Sequence, residues 1–363
     1  MKRRLFLQSG AAAAVASALP SVGFALSRFD PRPGAWRTFE ITTRVEIDIP
    51  EGETRAWVPV PSIEGDYQKV LGHRWSGNGS MRLVRDAKYG AAMVMAEWPA
   101  SAGTPLLEVT STVSTRDRAV DFTRRDPKIT LAAANPGFYT APTELIQTDG
   151  IVRETAADIT RGMRSDVEKA RAIYEWIVDN TERDPKTRGC GLGDVKGMLE
   201  TRNLKGKCAD LNALYVGLAR SSGLPARDVY GLRVAKSEFG YRSLGAGSPN
   251  VTRAQHCRAE VFLTGYGWVP VDPADVRKVV LEEKTQPTTL ADPIVPPVRE
   301  KLFGAWEGNW LAYNDAHDVS LPGSDGPAIP FFMYPQAETG KERLDSLDPD
   351  GFRYTITARE LKA

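Results

Sequence analysis

The sequence predicts an α+β protein in which an antiparallel β-sandwich precedes a core of helices packed on a sheet. Three observations carry this. Residues 32–125 contain short runs that alternate with period two, punctuated by Gly, Pro, Asn and Ser. Residues 145–320 switch to apolar positions at helical spacing. Within that segment, two strand-like runs flank a Gly-Tyr-Gly turn at 265–267. A chain of 363 residues suits two or three domains. With 26% charged and 42% hydrophobic residues, its composition is that of an ordinary globular protein. This excludes a collagen, a mucin, a wholly disordered chain and a polytopic membrane protein.

The first 25 residues have the pattern of an address. Arg3-Arg4 precedes Leu5-Phe6-Leu7, a small apolar run extends from Gly10 to Leu19, and Gly23 and Ala25 suit a cleavage site. This is the pattern of a twin-arginine signal peptide. A membrane anchor is the alternative, but the run holds about ten apolar residues where a span needs about twenty. The mature protein is therefore expected to be exported, periplasmic or extracytoplasmic, without stable membrane insertion. Without Lys2, Arg3 and Arg4, the 47 basic residues become 44 against 46 acidic ones, so a net charge of +1 becomes −2. No basic field suggests nucleic acid.

In the predicted sandwich, strands are expected at 39–47, 55–60, 91–96 and 106–113, with His73 as a surface or packing residue. Residues 127–149 suit a linker lying on the next domain. Ser165 and Glu168 form a capping box, and Val167, Ala170, Ile173, Tyr174 and Ile177 then mark a helix over 166–180. Gly191, Gly193 and Gly197 give GxGxxxG, one residue too long for a dinucleotide fingerprint and with no strand before it. A phosphate loop is rejected.

Chemistry enters at Cys208. Leu211, Leu214, Tyr215 and Leu218 share one helical face, and Gly223 and Pro225 provide the stop, so a helix starts at or near Cys208. A thiol there sits in the positive end of the helix dipole, which favours thiolate. Gly206 permits close approach of a substrate, and unpaired N–H groups at the helix start suit an oxyanion. The alternative is a buried structural cysteine. His256 opens one strand of the hairpin and Asp272 closes the other. Folding about 264–267 sets Asp272 opposite Ala259, three residues or about 10 Å from His256. A bulge or twist near Pro270 is then needed to close the gap. In the catalytic reading Asp272 orients the imidazole, and His256 takes the Cys208 proton and returns one to the leaving amine. In the other reading Asp272-Pro273 is a turn and His256 an edge residue.

Cys208 at a helix start, Leu224-Pro225-Ala226-Arg227 after it, His256 opening a strand, and the run Gly265-Tyr266-Gly267-Trp268-Val269-Pro270-Val271-Asp272-Pro273 together resemble the bacterial transglutaminase-like superfamily. The resemblance implies a papain-like transglutaminase core and a catalytic triad of Cys208, His256 and Asp272. It implies acyl transfer at a carboxamide or peptide bond of a protein or peptide substrate, through a Cys208 thioester resolved by an amine or by water. A cysteine peptidase or amidase with the same triad is one alternative, and an idle binding or adaptor protein is another. Where many relatives carry an aromatic residue two places after the histidine, this chain has Arg258. That change is expected to alter substrate contact and to leave the triad alone. Asn203 and Trp176 are candidate oxyanion helpers. No acidic cluster or calcium loop of the animal enzymes is present, so neither metal nor cofactor is expected.

The remaining thiols, Cys190 and Cys257, are read as buried and free, with a disulfide between them as the alternative. A zinc site from Cys190, Cys208, His256 and Cys257 is disfavoured, because adjacent strand residues point to opposite faces. Residues 310–318 are read as a solvated loop with a local contact between His317 and Asp318. Residues 287–297 are read as a proline-rich crossover. Residues 321–363 are read as a C-terminal extension packing on the core.

Overall fold

A computed structural model of the protein describes residues 29–362, apart from 49, 102, 133, 134, 341 and 349. The leader expected at 1–25 lies outside the described residues. Among them, no helix is long and apolar enough to cross a membrane.

The N-terminal region is an antiparallel sandwich. Along Arg37–Glu46, Phe39, Ile41, Thr43 and Val45 turn inward and their neighbours face outward. One sheet has the order Arg353–Leu361, Arg37–Glu46, Leu106–Thr115, Gln68–Gly77. The other has the order Glu342–Arg343, Gln336–Thr339, Thr54–Pro59, Ala92–Trp98, Ser80–Arg85. Val45, Leu107 and Val109 of the first sheet bury against Val58, Val94 and Ala96 of the second.

The C-terminal segment departs from the expected extension on the core. Arg353–Leu361 pairs along nearly the whole length of Arg37–Glu46, from Thr38↔Leu361 to Glu46↔Arg353, and Gln336–Thr339 pairs with Thr54–Pro59. The tail thus completes both sheets of the sandwich, while Met333 and Tyr334 reach the core around the Cys208 helix. An edge strand of alternating apolar and polar residues leaves its backbone groups unpaired, and the tail supplies the partners.

The second sheet system has the order Gly267–Val271, Gln255–Leu263, Ala226–Arg233, Trp310–Asn314. Helix Cys208–Ser221 packs on it, with every residue from Cys208 to Arg220 buried. Helices Ile151–Ile159 and Asp166–Asn180 cover its other side. The capping box starts the latter: Ser165 Oγ accepts from the Glu168 N–H, and Glu168 Oε2 accepts from the Ser165 N–H at 2.9 Å. Residues 310–314 are not a solvated loop but a fully buried edge strand, and His317 is buried as well. Trp310, Leu311, Ala312 and Tyr313 have too much apolar surface to leave in water. The two units share a core, in which Phe39, Ile41, Val113 and Ile356 meet Leu232, Leu311 and Tyr313.

Ile356 is 1% exposed at this junction. Ile356→Ala is expected to cost about 2–5 kcal/mol in urea unfolding. A loss well under 1 kcal/mol would show that the tail strand is not integral to the fold.

Candidate active site

Cys208 is the first residue of its helix, and a second buried carboxylate fixes that start. Asp210, in the first turn, accepts from the Lys207 N–H at 2.9 Å, the Leu192 N–H at 2.9 Å and the Gly193 N–H at 3.0 Å. It ties the glycine-rich loop 188–194 to the Cys208 helix. Gly191 adopts φ +97°, and a Cβ there would lie 1.9 Å from an Asp210 oxygen. A Cβ on Gly206 would meet the same carboxylate at 2.4 Å. These glycines make room for Asp210.

His256 and Asp272 meet at the open end of the hairpin. The register is one residue tighter than expected: Val271 pairs with Ala259, so Asp272 follows opposite Arg258, and the ladder has no bulge. Side chains span the remaining distance, and His256 Nε2 lies 2.8 Å from Asp272 Oδ2. Asp272 also caps helix Pro273–Glu282, accepting the Asp275 N–H at 3.1 Å through Oδ1. Asn212, one turn along from Cys208, donates to the Cys257 carbonyl at 2.8 Å and to Asp272 Oδ1 at 3.4 Å. Trp310 Nε1 donates to the His256 carbonyl at 2.8 Å.

Arg258, expected to leave the triad alone, lies against Asp272 instead. It is buried, with Nε 3.5 Å from Asp272 Oδ2 and the guanidinium over the rings of Trp306 and Trp310. Strand alternation puts residues 256 and 258 on one face, where Asp272 also lies. Asp275 joins the cluster as well, with Oδ2 3.4 Å from His256 Nε2 and a second oxygen bonded to Arg233.

The electrostatics favour charge separation. Burial and Arg233 oppose protonation of His256, but Asp275 and Asp272 outweigh them and hold the imidazole up at about 9. The thiols of Cys190 and Cys257 stabilise the Cys208 thiolate, burial opposes it, and His256 adds its charge; the net effect holds Cys208 well below the usual thiol range. Cys190 and Cys257 are pushed well up and stay protonated. All three are free and buried. Burial and Asp275 raise Asp272, with His256 and Arg258 opposing. Asp275 is held well down despite burial, by Arg233 and His256.

Cys208 and His256 line one cleft of about 550 Å³, together with Cys190, Tyr334, Leu347, Phe352 and Tyr354. The tail therefore forms a wall of the cleft. Asn203 and Trp176 do not line it. His256, Asp272 and Asp275 bring ligand atoms within 4.8 Å of one another, the spacing of a metal site. Arg233 and Arg258 already compensate both carboxylates, so a cation there would face two guanidinium groups. No three of Cys190, Cys208, Cys257 and His256 converge in this way among the described residues.

Sheet, helix and thiol–imidazole–carboxylate cluster together define the transglutaminase-like class. Residues 153–273 match the transglutaminase-like superfamily. An uncharacterized protein of Haemophilus influenzae is 38% identical over 370 residues, spanning 96% of this chain and 99% of the relative. The chain belongs to the transglutaminase-like superfamily. In fold it is similar to a Cytophaga hutchinsonii protein provisionally described as a cysteine protease, with a TM-score of 0.51 and 18% identity over 90% of this chain and 99% of that one. The periplasmic domain of TgpA from Pseudomonas aeruginosa aligns with a TM-score of 0.35 and 13% identity, over 72% of this chain and 92% of that domain.

Iodoacetamide alkylation of Cys208 should stay nearly level between about pH 6 and 8, whereas an ordinary thiol gains about tenfold per unit below its pKa. A profile rising like that of a free thiol would contradict the stabilised thiolate.

Proposed function

We propose that the protein is an acyl-transfer thiol enzyme that opens a carboxamide or peptide bond through a thioester on Cys208. The observation carrying this reading is the 2.8 Å bond between buried His256 and Asp272, with His256 beside a thiol at a helix start in the same cleft. Asp272 occupies Nε2, so Nδ1 is the nitrogen left to serve Cys208. The thiolate attacks the carbonyl carbon. The Ala209 N–H is spent on the Cys190 carbonyl at 2.9 Å and the Leu211 N–H on that of Lys207 at 3.0 Å. In this reading the Cys208 N–H is the helix-start donor for the oxyanion. His256 gives its proton to the leaving nitrogen as the C–N bond breaks. It then takes a proton from the incoming amine or water, whose attack breaks the C–S bond and restores the thiolate.

The fold likeness to a protein described as a cysteine protease supports water as one acceptor, and the superfamily supports an amine. We also propose that the protein acts after export, as the leader suggests. Cys190 and Cys257 serve as positioning thiols that keep the nucleophile ionised.

Incubating the protein with glutamine-containing peptides, with and without a primary amine, tests the reading. Cys208→Ala should abolish turnover, and Asp272→Asn should lower kcat by about 10³–10⁴. Because His256 is held up at about 9, it remains an acid through neutral pH, and kcat/KM should fall as pH rises through about 9. An intact folded protein with no thioester detectable by mass spectrometry on any amide or peptide would favour the adaptor alternative. Product unaffected by the amine would identify a hydrolase.

A further inference from the structure

The cleft around Cys208 is lined by six cationic side chains, Arg183, Arg188, Lys207, Arg233, Arg253 and Lys278, and by no aspartate or glutamate among the described lining residues. Their counter-charges are not among the lining residues and are incomplete. Arg183 and Lys278 share the single carboxylate of Glu282. Arg233 is paired with Asp275 and Arg188 with Asp345. Lys207 and Arg253 have no ion-pair partner among the described residues.

These two bracket the chemistry in sequence. Lys207 immediately precedes Cys208 and is half-buried, and Arg253 stands three residues before His256 and is exposed. The positive end of the fourteen-residue helix Cys208–Ser221 adds to the same field. A concave surface lined by one sign of charge concentrates ligands of the other sign. The whole chain is nearly neutral, so this field is local to the cleft.

Resting on the acyl-transfer reading above, we propose that the acyl donor is an acidic peptide, with carboxylate groups on either side of the reacting carbonyl that engage Lys207 and Arg253. The reacting amide itself is neutral and is positioned by its charged flanks. A donor with basic flanks is repelled by the same residues.

The test separates binding from chemistry. Binding of a short fluorescein-labelled peptide, with glutamates flanking a central glutamine, is measured by anisotropy on the Cys208→Ala protein, or on Cys208→Ser should the first variant not fold. Its counterpart carries glutamine in place of each glutamate. The acidic peptide should bind about tenfold tighter, and added salt should shrink the difference. Lys207→Gln and Arg253→Gln should each reduce the preference, and together bring it to within about twofold of parity. Equal binding of the two peptides, or a preference that survives in the double variant, overturns the proposal. Either result leaves acyl transfer intact if the wild-type protein forms a thioester with the neutral peptide. An acidic preference without any thioester would instead overturn the acyl-transfer reading.

Discussion

Asp272 must satisfy several partners from a position with no solvent, and the core around Cys208 and His256 is arranged around that constraint. One oxygen holds the His256 imidazole and lies near Arg258, while the other takes the Asp275 N–H and faces Asn212. A carboxylate buried without such partners would cost several kcal/mol. With them, it fixes the imidazole and the start of the following helix together. With Cys208 ionised, three anions (Cys208, Asp272 and Asp275) face three cations (His256, Arg233 and Arg258). Removing one member leaves an uncompensated charge in a dry site, so the cluster behaves as a unit.

Asp210 makes the equivalent arrangement on the side of Cys208. Its carboxylate gathers three amides from two segments, and Gly191 and Gly206 leave the space it needs. The loop that carries Cys190 is thereby held against the start of the Cys208 helix, where the Cys190 thiol favours the Cys208 thiolate. One short turn thus sets the backbone geometry at Cys208 and brings up one of the groups that favour its ionisation.

Much of this was legible in the residues because local rules governed it. The capping box at Ser165, the apolar face through Leu211, Leu214 and Leu218, and the hairpin turn at 265–267 are short-range signals. His256 and Asp272 could be placed at one end of a hairpin, although the register was off by one residue and a bulge was expected that does not exist. Arg258 was within reach of the same reasoning, since residues two apart on a strand share a face. Asp275, Arg233 and Asn212 had weaker signals: a carboxylate three residues into a capped helix, an arginine on a neighbouring strand, and an amide one turn beyond the cysteine. Trp310 and the tail were not legible, because their burial depends on sheets formed with residues far away in sequence.

That distance has a consequence for synthesis. Thr38 pairs with Leu361, so one sheet of the sandwich gains its edge partner only long after the strand it pairs with has been made. The same tail supplies Leu347, Phe352 and Tyr354 to the wall beside Cys208. A nascent chain has its cysteine helix before its finished cleft. Loss of residues 347–354 would therefore reshape the surroundings of Cys208 without removing Cys208, His256 or Asp272.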